Sequence, residues 1–98
     1  MSKTIRKRDL VNAIAAEQGE FTTQAMVAEV VEKVMEKITQ ALASGDTVVF
    51  RGFGTFKPQV HKAKVGRNPK APETPVVIPE RIVPKFTPSK LLNKRVNR

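Results

Sequence analysis

Residues 54–82 read GTFKPQVHKAKVGRNPKAPETPVVIPERI, and this stretch decides the fold. Side chains prone to β structure fill residues 55–65 and return at residues 76–82, and the Gly-Arg-Asn-Pro sequence of residues 66–69 lies between them. Turn-forming residues between two β-prone runs are typical of a long two-stranded ribbon. The sequence therefore predicts a ribbon over about residues 57–83.

This ribbon has no core of its own to pack against. Beyond Val60 the outgoing strand carries Lys62 and Lys64 on one face and little apolar surface on either. A hairpin isolated in this way is at best marginally stable in water. We therefore expect an arm whose partner is another molecule, and the lysines indicate that this partner is polyanionic.

The rest of the chain is small. The 98 residues predict one domain, residues 1–98, and the arm leaves roughly 70 of them to form a core. A body of that size buries little surface alone, so oligomerisation is expected. Cysteine is absent, which excludes a disulfide framework and thiolate chemistry. The basic N-terminus is not followed by an apolar signal core, and no run has membrane-spanning length, so we expect an unexported, cytoplasmic protein.

The net charge of +9 is unevenly distributed along the chain. Residues 1–46 hold six Lys and Arg against seven Asp and Glu, a net charge of −1, whereas residues 47–98 hold twelve against two, a net charge of +10. A basic surface needed only for solubility does not explain this segregation. The concentration of cations in the half that contains the ribbon favours nucleic acid as the partner.

Two helices are predicted before the ribbon. The first spans residues 4–18, because apolar side chains recur on one side of it, and Gly19 is a plausible stop. The second begins with Thr22 as its N-cap, has Phe21 and Met26 in the positions of a hydrophobic staple, and runs to about Ala43.

The second helix carries an apolar stripe of four turns or more. The first helix is too short to cover it, so part of the stripe is expected to meet a second subunit. Glu and Lys side chains fill the other side as a solvated face, and their regular spacing does not favour a catalytic pair of carboxylates. The stripe consists of Val27, Val30, Val31, Val34, Ile38, Ala41 and Leu42.

A strand over residues 47–51 leads into a segment where Gly52 and Gly54 flank Phe53. Two glycines around a phenylalanine predict a tight reversal with closely approaching backbones, and Phe53 and Phe56 are expected to fill the core. The segment lacks the third glycine of the dinucleotide-binding fingerprint and the Gly-Lys-Ser/Thr ending of a phosphate-binding loop. These glycines are therefore interpreted as structural.

After the arm the chain returns to the body for a last helix. Thr87 is predicted as its N-cap and Pro88 as the proline that favours a first helical position. The helix is expected from Ser89 to about Val96, with its lysines exposed.

Several short motifs stand in a fixed order along the chain: Lys7 with Asp9-Leu10-Val11, Gly45-Asp46, Gly52-Phe53-Gly54-Thr55-Phe56, Gly66-Arg67-Asn68-Pro69 and Val83-Pro84-Lys85-Phe86. Together they closely resemble the HU and integration host factor family of bacterial DNA-bending proteins. The resemblance spans nearly the whole chain. The sequence departs from the family pattern at His61, where Arg or Lys is usual, and in residues 70–75, which are one residue longer.

The resemblance implies an α+β fold and an intertwined dimer. Its base would be two N-terminal helices and a short C-terminal helix, topped by a small antiparallel β saddle and two β-ribbon arms that embrace duplex DNA through the minor groove. Pro69 matches a proline that wedges between base pairs at the tip of each arm. The expected DNA contacts are Arg51, Lys57, His61, Lys62, Lys64, Arg67, Asn68, Pro69, Lys70, Arg81, Lys85, Lys90 and Lys94. The expected dimer core is Val27, Val30, Val31, Val34, Ile38, Leu42, Phe53, Phe56 and Phe86.

The function implied is sequence-tolerant bending and compaction of double-stranded DNA in the nucleoid, with a preference for bent, nicked or junction DNA. A homodimer is expected, with a heterodimer formed with a paralogue as the alternative. A site-specific bender of the integration host factor kind stays open, because minor-groove readout is degenerate and such selectivity rests on DNA shape.

Other functional classes have less support. All five aromatic residues are Phe, and those at 53, 56 and 86 are expected to be buried, so the stacking platform of single-strand RNA readers is missing. The chain has one His, no Cys and no convergent carboxylates, so we expect no enzymatic activity, no metal site and no cofactor. His61 is interpreted as a surface residue near phosphate. A membrane-surface helix is not expected, because the polar face of the longest helix is acidic.

Overall fold

The computed structural model describes residues 2–68 and 71–97, with residues 67–68 and 71–74 described by their backbone alone. Its helices and antiparallel strands confirm the predicted α+β class. The chain divides into two compact units, Met1–Thr39 and Gln40–Arg98. The elements in chain order are α1 (Lys7–Gln18), α2 (Gln24–Ala43), β1 (Val48–Phe50), β2 (Gly54–His61), β3 (Lys64–Asn68), β4 (Ala71–Ile78), β5 (Arg81–Pro88) and α3 (Lys90–Val96).

Helix α1 begins at Lys7, and the predicted start at Thr4 is wrong. Arg6 is the N-cap, and its backbone N–H donates a hydrogen bond to the Asp9 carboxylate at 2.9 Å. A carboxylate in the first turn is also favoured by the helix dipole. Asp9 therefore fixes where the helix starts, and the predicted stop at Gly19 is confirmed.

Helix α2 is capped by Thr23, so the predicted cap at Thr22 is wrong by one residue. The Met26 N–H donates a hydrogen bond to Thr23 Oγ1 at 3.1 Å, which is the usual bond between a cap and the third helical residue. This shift also removes the predicted staple, because Phe21 is almost fully exposed. Val27, now one turn inside the cap, is buried instead.

The buried apolar side chains of the described residues all lie on α1 and α2. They are Val11, Ala15 and Val27, with Ala28 and Val31 packed against them. Other residues of the α2 stripe are exposed to solvent, among them Val30 at 63% and Val34 at 44%. One chain therefore covers only part of the stripe, as the sequence predicts.

The three-stranded sheet is antiparallel, with β2 between β1 and β5. The connection from β1 to β2 is a tight reversal, as predicted, and Gly52 has a φ of +82°, which disfavours other residues. A Cβ on Gly54 would lie 2.5 Å from the Phe86 ring and 2.8 Å from the Thr87 carbonyl oxygen. Gly54 is therefore the position where the backbones approach closely.

The ribbon consists of two ladders in one continuous register. The β2–β5 ladder ends at His61 opposite Arg81, and the β3–β4 ladder resumes at Lys64 opposite Ile78. Residues 62–63 and 79–80 belong to neither ladder. Pro79 has no N–H to donate there, which accounts for part of the interruption.

The predicted turn at residues 66–69 is wrong for its described part. Residues 66–68 belong to β3, and the return strand begins at Ala71 rather than Val76. A two-stranded ribbon has only edge strands, and edge strands tolerate proline, so Pro75 does not prevent pairing with Arg67. Pro69 and Lys70 lie outside the described residues.

Helix α3 is capped by Ser89, and the predicted cap at Thr87 is wrong. The Leu92 N–H donates a hydrogen bond to Ser89 Oγ at 3.0 Å. Thr87 and Pro88 instead end strand β5, where they lie opposite Thr55 and Gly54. Among the described residues, no helix combines the length and apolar character needed to cross a membrane.

Candidate nucleic-acid interface

The β2–β5 ribbon has two chemically different faces. Residues directly opposite on paired strands share a face, and alternate residues along a strand lie on opposite faces. One face, here called the apolar face, carries Phe56, Pro58, Val60, Ile82, Pro84 and Phe86. The other, here called the basic face, carries Lys57, Gln59, His61, Arg81, Val83 and Lys85.

The basic face places basic residues opposite one another. Lys57 lies opposite Lys85, and His61 lies opposite Arg81. Like charges directly opposite each other, here those of Lys57 and Lys85, destabilise a sheet unless another group offsets them. The ion pairs found among the described residues, Lys7 with Glu32 and Lys33 with Glu36, are confined to the helices. The cations of the basic face therefore have no ion-pair partner among the described side chains, and their charge favours an anion as a ligand.

An aromatic cluster supports the body end of the ribbon. The Phe56 and Phe86 ring centroids are 4.9 Å apart, those of Phe53 and Phe86 5.6 Å, and those of Phe50 and Phe56 6.0 Å. Contacts of this kind stabilise aromatic pairs beyond the area they bury. In one chain Phe53 and Phe86 are 49% and 39% exposed, so their predicted place in a dimer core stays a prediction.

The structure does not bring all predicted DNA-contact residues together. Lys62 falls in the interruption between the ladders, and Lys64 lies opposite Ile78, so neither belongs to the basic face. Arg51 is in the turn after β1, and Lys90 and Lys94 are exposed on α3. The predictions for these residues stay predictions.

The predicted residues nearest the tip are described only in part. Arg67 and Asn68 end strand β3, with a register shift between them. The predictions for Pro69 and Lys70 fall outside the described residues. Sequence reasoning missed Gln59, which lies between Lys57 and His61 on the basic face, although the two-residue alternation of a strand was enough to find it.

No group of three His, Cys, Asp or Glu side chains in the described ranges is arranged to hold a metal ion. His61 is half-buried and has Arg81 opposite it, which is a poor environment for a bound cation.

A family model described as "Bacterial DNA-binding protein" matches residues 5–97. The chain belongs to this family, that of HU and integration host factor. The family match covers α1, α2, the sheet, the ribbon and α3, so the resemblance noted in the short motifs extends to the whole fold.

Both kinds of integration host factor subunit are among the similar proteins. Integration host factor subunit beta from Halorhodospira halophila is 41% identical over 91 residues, which cover 93% of this chain and 87% of that protein. Integration host factor subunit alpha from Cereibacter sphaeroides is 38% identical over 94 residues, covering 96% and 91%.

Solved structures of HU are also similar. The Anabaena HU–DNA cocrystal structure matches with a TM-score of 0.83 and 37% identity, covering 94% of this chain and 97% of that one. HU from Thermotoga maritima matches with a TM-score of 0.65 and 27% identity, covering 94% and 98%. The chain is thus an architectural DNA-binding protein of the HU and integration host factor family.

Proposed function

We propose that this protein is a nucleoid-associated protein of the cytoplasm that binds double-stranded DNA with little sequence preference and bends and compacts it. Residues 1–98 form one DNA-binding domain, and the ribbon at about residues 57–83 is the arm. The protein needs no metal or cofactor and catalyses no reaction. The observation that carries this proposal is the basic face, where Lys57 lies opposite Lys85 and His61 opposite Arg81, and where no ion pair is found among the described side chains.

A polyanion with evenly spaced charges suits this face better than a single small anion. The two basic pairs lie four residues apart, about 13 Å at 3.3–3.4 Å per residue, with Gln59 and Val83 between them, so the basic face offers cations farther apart than one small anion can reach. Phosphate contacts of this kind supply affinity but carry no sequence information. Sequence-tolerant binding follows from such contacts.

We also propose that the protein acts as a dimer. In one chain the apolar stripe of α2 is partly open, with Val30 and Val34 exposed, and the aromatic cluster is open at Phe53 and Phe86. Exposed apolar surface on both units supports coverage by a second copy. The dimer core named from the sequence includes these residues, and a homodimer is the form proposed.

Binding to linear, nicked and four-way-junction DNA across a salt series tests the function. Each neutralised phosphate adds about −0.9 to the slope of log affinity against log salt on B-form DNA. We expect a steep slope on all three substrates and tighter binding to nicked and junction DNA, whose bending costs less. Equal affinity for all three would contradict bending, and tighter binding to RNA of equal length would favour an RNA partner.

A site-specific bender is the second candidate, because integration host factor subunits are among the similar proteins. The integration host factor subunits named above are 41% and 38% identical to this chain, slightly more than the 37% of the Anabaena HU. Their subunit names also make a heterodimer with a paralogue the alternative to a homodimer. Repeated selection of bound duplexes from a random pool separates the candidates. A strongly enriched sequence identifies a site-specific protein, and an unchanged pool identifies a sequence-tolerant one.

A further inference from the structure

The basic face holds the one histidine of the chain. His61 ends strand β2, where it is half-buried and lies directly opposite Arg81 on β5. Histidine is the side chain whose charge ordinarily changes between about pH 5 and pH 8, whereas lysine and arginine stay positive over that range. The number of positive charges on the basic face therefore depends on pH at a single position.

The charged groups that share a face with His61 are all cations. Arg81 lies directly opposite it, and Lys57 and Lys85 form the next basic pair toward the body. Strand β1 pairs with β2 only over residues 54–56, so within the described residues no third strand lies beside β2 at His61. A protonated imidazole therefore adds a positive charge to a surface that is already cationic.

The carboxylate nearest to His61 in the register belongs to the other face of the ribbon. Each strand skips two residues, an even number, between the two ladders, so the alternation of faces carries over from one ladder to the next. Glu80 therefore lies on the face opposite to that of His61, together with Lys62 and Lys64. Among the described side chains, no carboxylate forms an ion pair with His61 or Arg81.

Protonation of His61 creates a second pair of like charges on the basic face. Lys57 and Lys85 form the first such pair. Like charges directly opposite each other destabilise a sheet unless another group offsets them. An anion lying on the basic face would offset both pairs, so the proton and the anion support each other's binding.

We propose that His61 makes DNA binding pH-sensitive, because the arm takes up a proton at His61 when it binds duplex DNA and holds the duplex more tightly as the pH falls from about 8 to about 6. This inference rests on the proposed function and adds its regulation. A phosphate favours the imidazolium, which carries a positive charge and donates hydrogen bonds from both ring nitrogens. Linkage is reciprocal, so DNA that favours protonation is itself bound more tightly when His61 is already protonated.

The pH effect has a signature in the salt dependence of binding. A protonated His61 that neutralises one phosphate adds about −0.9 to the slope of log affinity against log salt on B-form DNA, and the two arms of a dimer add about twice that. A neutral imidazole releases no counterion and adds nothing to the slope. The slope should therefore be steeper at the lower pH.

The test measures affinity for a linear duplex at about pH 6 and about pH 8, each across a salt series. His61→Gln is neutral at both pH values, and His61→Arg is charged at both. We expect the parent to bind roughly fivefold more tightly at the lower pH, with the steeper slope. The glutamine variant should bind at both pH values as the parent does at the higher one, and the arginine variant as the parent does at the lower one.

Proton uptake distinguishes this role from a merely structural one. Calorimetric titration of the duplex in two buffers with different heats of ionisation counts the protons taken up on binding. We expect uptake by the parent near neutral pH and no comparable uptake by either variant. Both variants keep the N-terminal amine, which titrates near pH 8, so they correct for its contribution. Circular dichroism of both variants checks that they fold like the parent.

Each other outcome overturns a defined statement. If the parent binds with the same affinity and salt slope at both pH values, His61 does not regulate binding, and the proposed function stands. If the pH dependence persists in the glutamine variant, another group titrates and the assignment to His61 is wrong. If the parent binds more weakly at the lower pH, the proposed coupling has the wrong sign. If the parent binds no duplex DNA at either pH, the proposed function itself is wrong and the regulation falls with it.

Discussion

The helices and the ribbon use their side chains in opposite ways. Helices α1 and α2 bury Val11, Ala15 and Val27 and hold ion pairs such as that of Lys7 with Glu32. The ribbon leaves like charges opposed on one face and exposes the Val65–Val77 pair beyond it. Charge follows the same division, with a net charge of −1 in residues 1–46 and +10 in residues 47–98.

The helices and the ribbon therefore expose two chemically different surfaces. The open part of the helices is apolar and regular, which suits a second copy of the same surface. The open part of the ribbon carries cations on one face, which suits a long anion. Variants in the two regions should therefore have different effects, the first on folding and the second on DNA binding.

The largest effect is expected from Val34→Glu. Val34 lies in the open α2 stripe, and a carboxylate there would be buried without a partner in the proposed dimer. Because folding and association are coupled in such a dimer, both should be lost, as seen by circular dichroism and sedimentation. Lys37→Glu places the same group on the solvated side of α2 and should fold. A folded, monodisperse monomer of the Val34 variant at micromolar concentration would contradict the dimer.

The next effect is expected from Gly54→Ala at the body end of the ribbon. The added Cβ would lie 2.5 Å from the Phe86 ring, so β2 and β5 must separate or the ring must move. Overpacking of this kind costs about 1–3 kcal/mol, measurable by urea unfolding. Gly66→Ala is the control in the distal ribbon, where the new Cβ would meet Ile78 Cδ1 at an ordinary 3.6 Å. Equal losses would show that the close approach at Gly54 does not limit the sheet.

Pro69→Ala tests whether the proline bends DNA by wedging between base pairs or only shapes the turn of the hairpin. Unstacking a base step costs a few kcal/mol, which a rigid apolar ring helps to offset. We expect a smaller bend by energy transfer between duplex ends, and weaker binding to linear than to nicked DNA. Pro75→Ala, within β4, should leave the bend unchanged. A Pro69 variant that bends DNA like the parent at saturation would exclude the wedge.

A smaller effect on binding is expected from Lys57→Ala with Lys85→Ala on the basic face. If both contact phosphates, the salt slope should become shallower by about two units, while thermal unfolding stays close to that of the parent. Lys33→Ala with Lys37→Ala removes the same charge from α2 and should leave the slope unchanged. Identical slopes for both variants would place the DNA away from the basic face.

The smallest effect is expected from Lys7→Ala. Lys7 and Glu32 join α1 to α2, but both side chains are about half exposed, at 49% and 54%. Exposed ion pairs contribute about 0–1 kcal/mol and are screened by salt. Denaturant unfolding should show a loss within that range that disappears at high salt. A larger, salt-independent loss would mean that the Lys7 stem contributes to packing.

The sequence by itself determined the α+β class, the α2 stripe, the stop at Gly19 and the existence of a basic arm. The stripe, the stop and the arm follow from local periodicity, composition and glycine placement in consecutive residues, whereas the α+β class was implied by the resemblance of the short motifs to a known family. The sequence also located the tight reversal at residues 52–54, because two glycines around a phenylalanine have few other uses.

Only the tertiary structure decided the caps, the extent of the strands and the composition of the two ribbon faces. Thr22 and Thr23 are equally good caps by type, and the hydrogen bond to Met26 selects the second. Proline-rich residues 71–75 resemble a loop until pairing with β3 makes them a strand. Lys62 and Lys64 were predicted to contact DNA alongside Lys57, but the cross-strand register places them on the opposite face of the ribbon from Lys57. A face is defined by which residues lie opposite each other on paired strands, and this pairing is a non-local property.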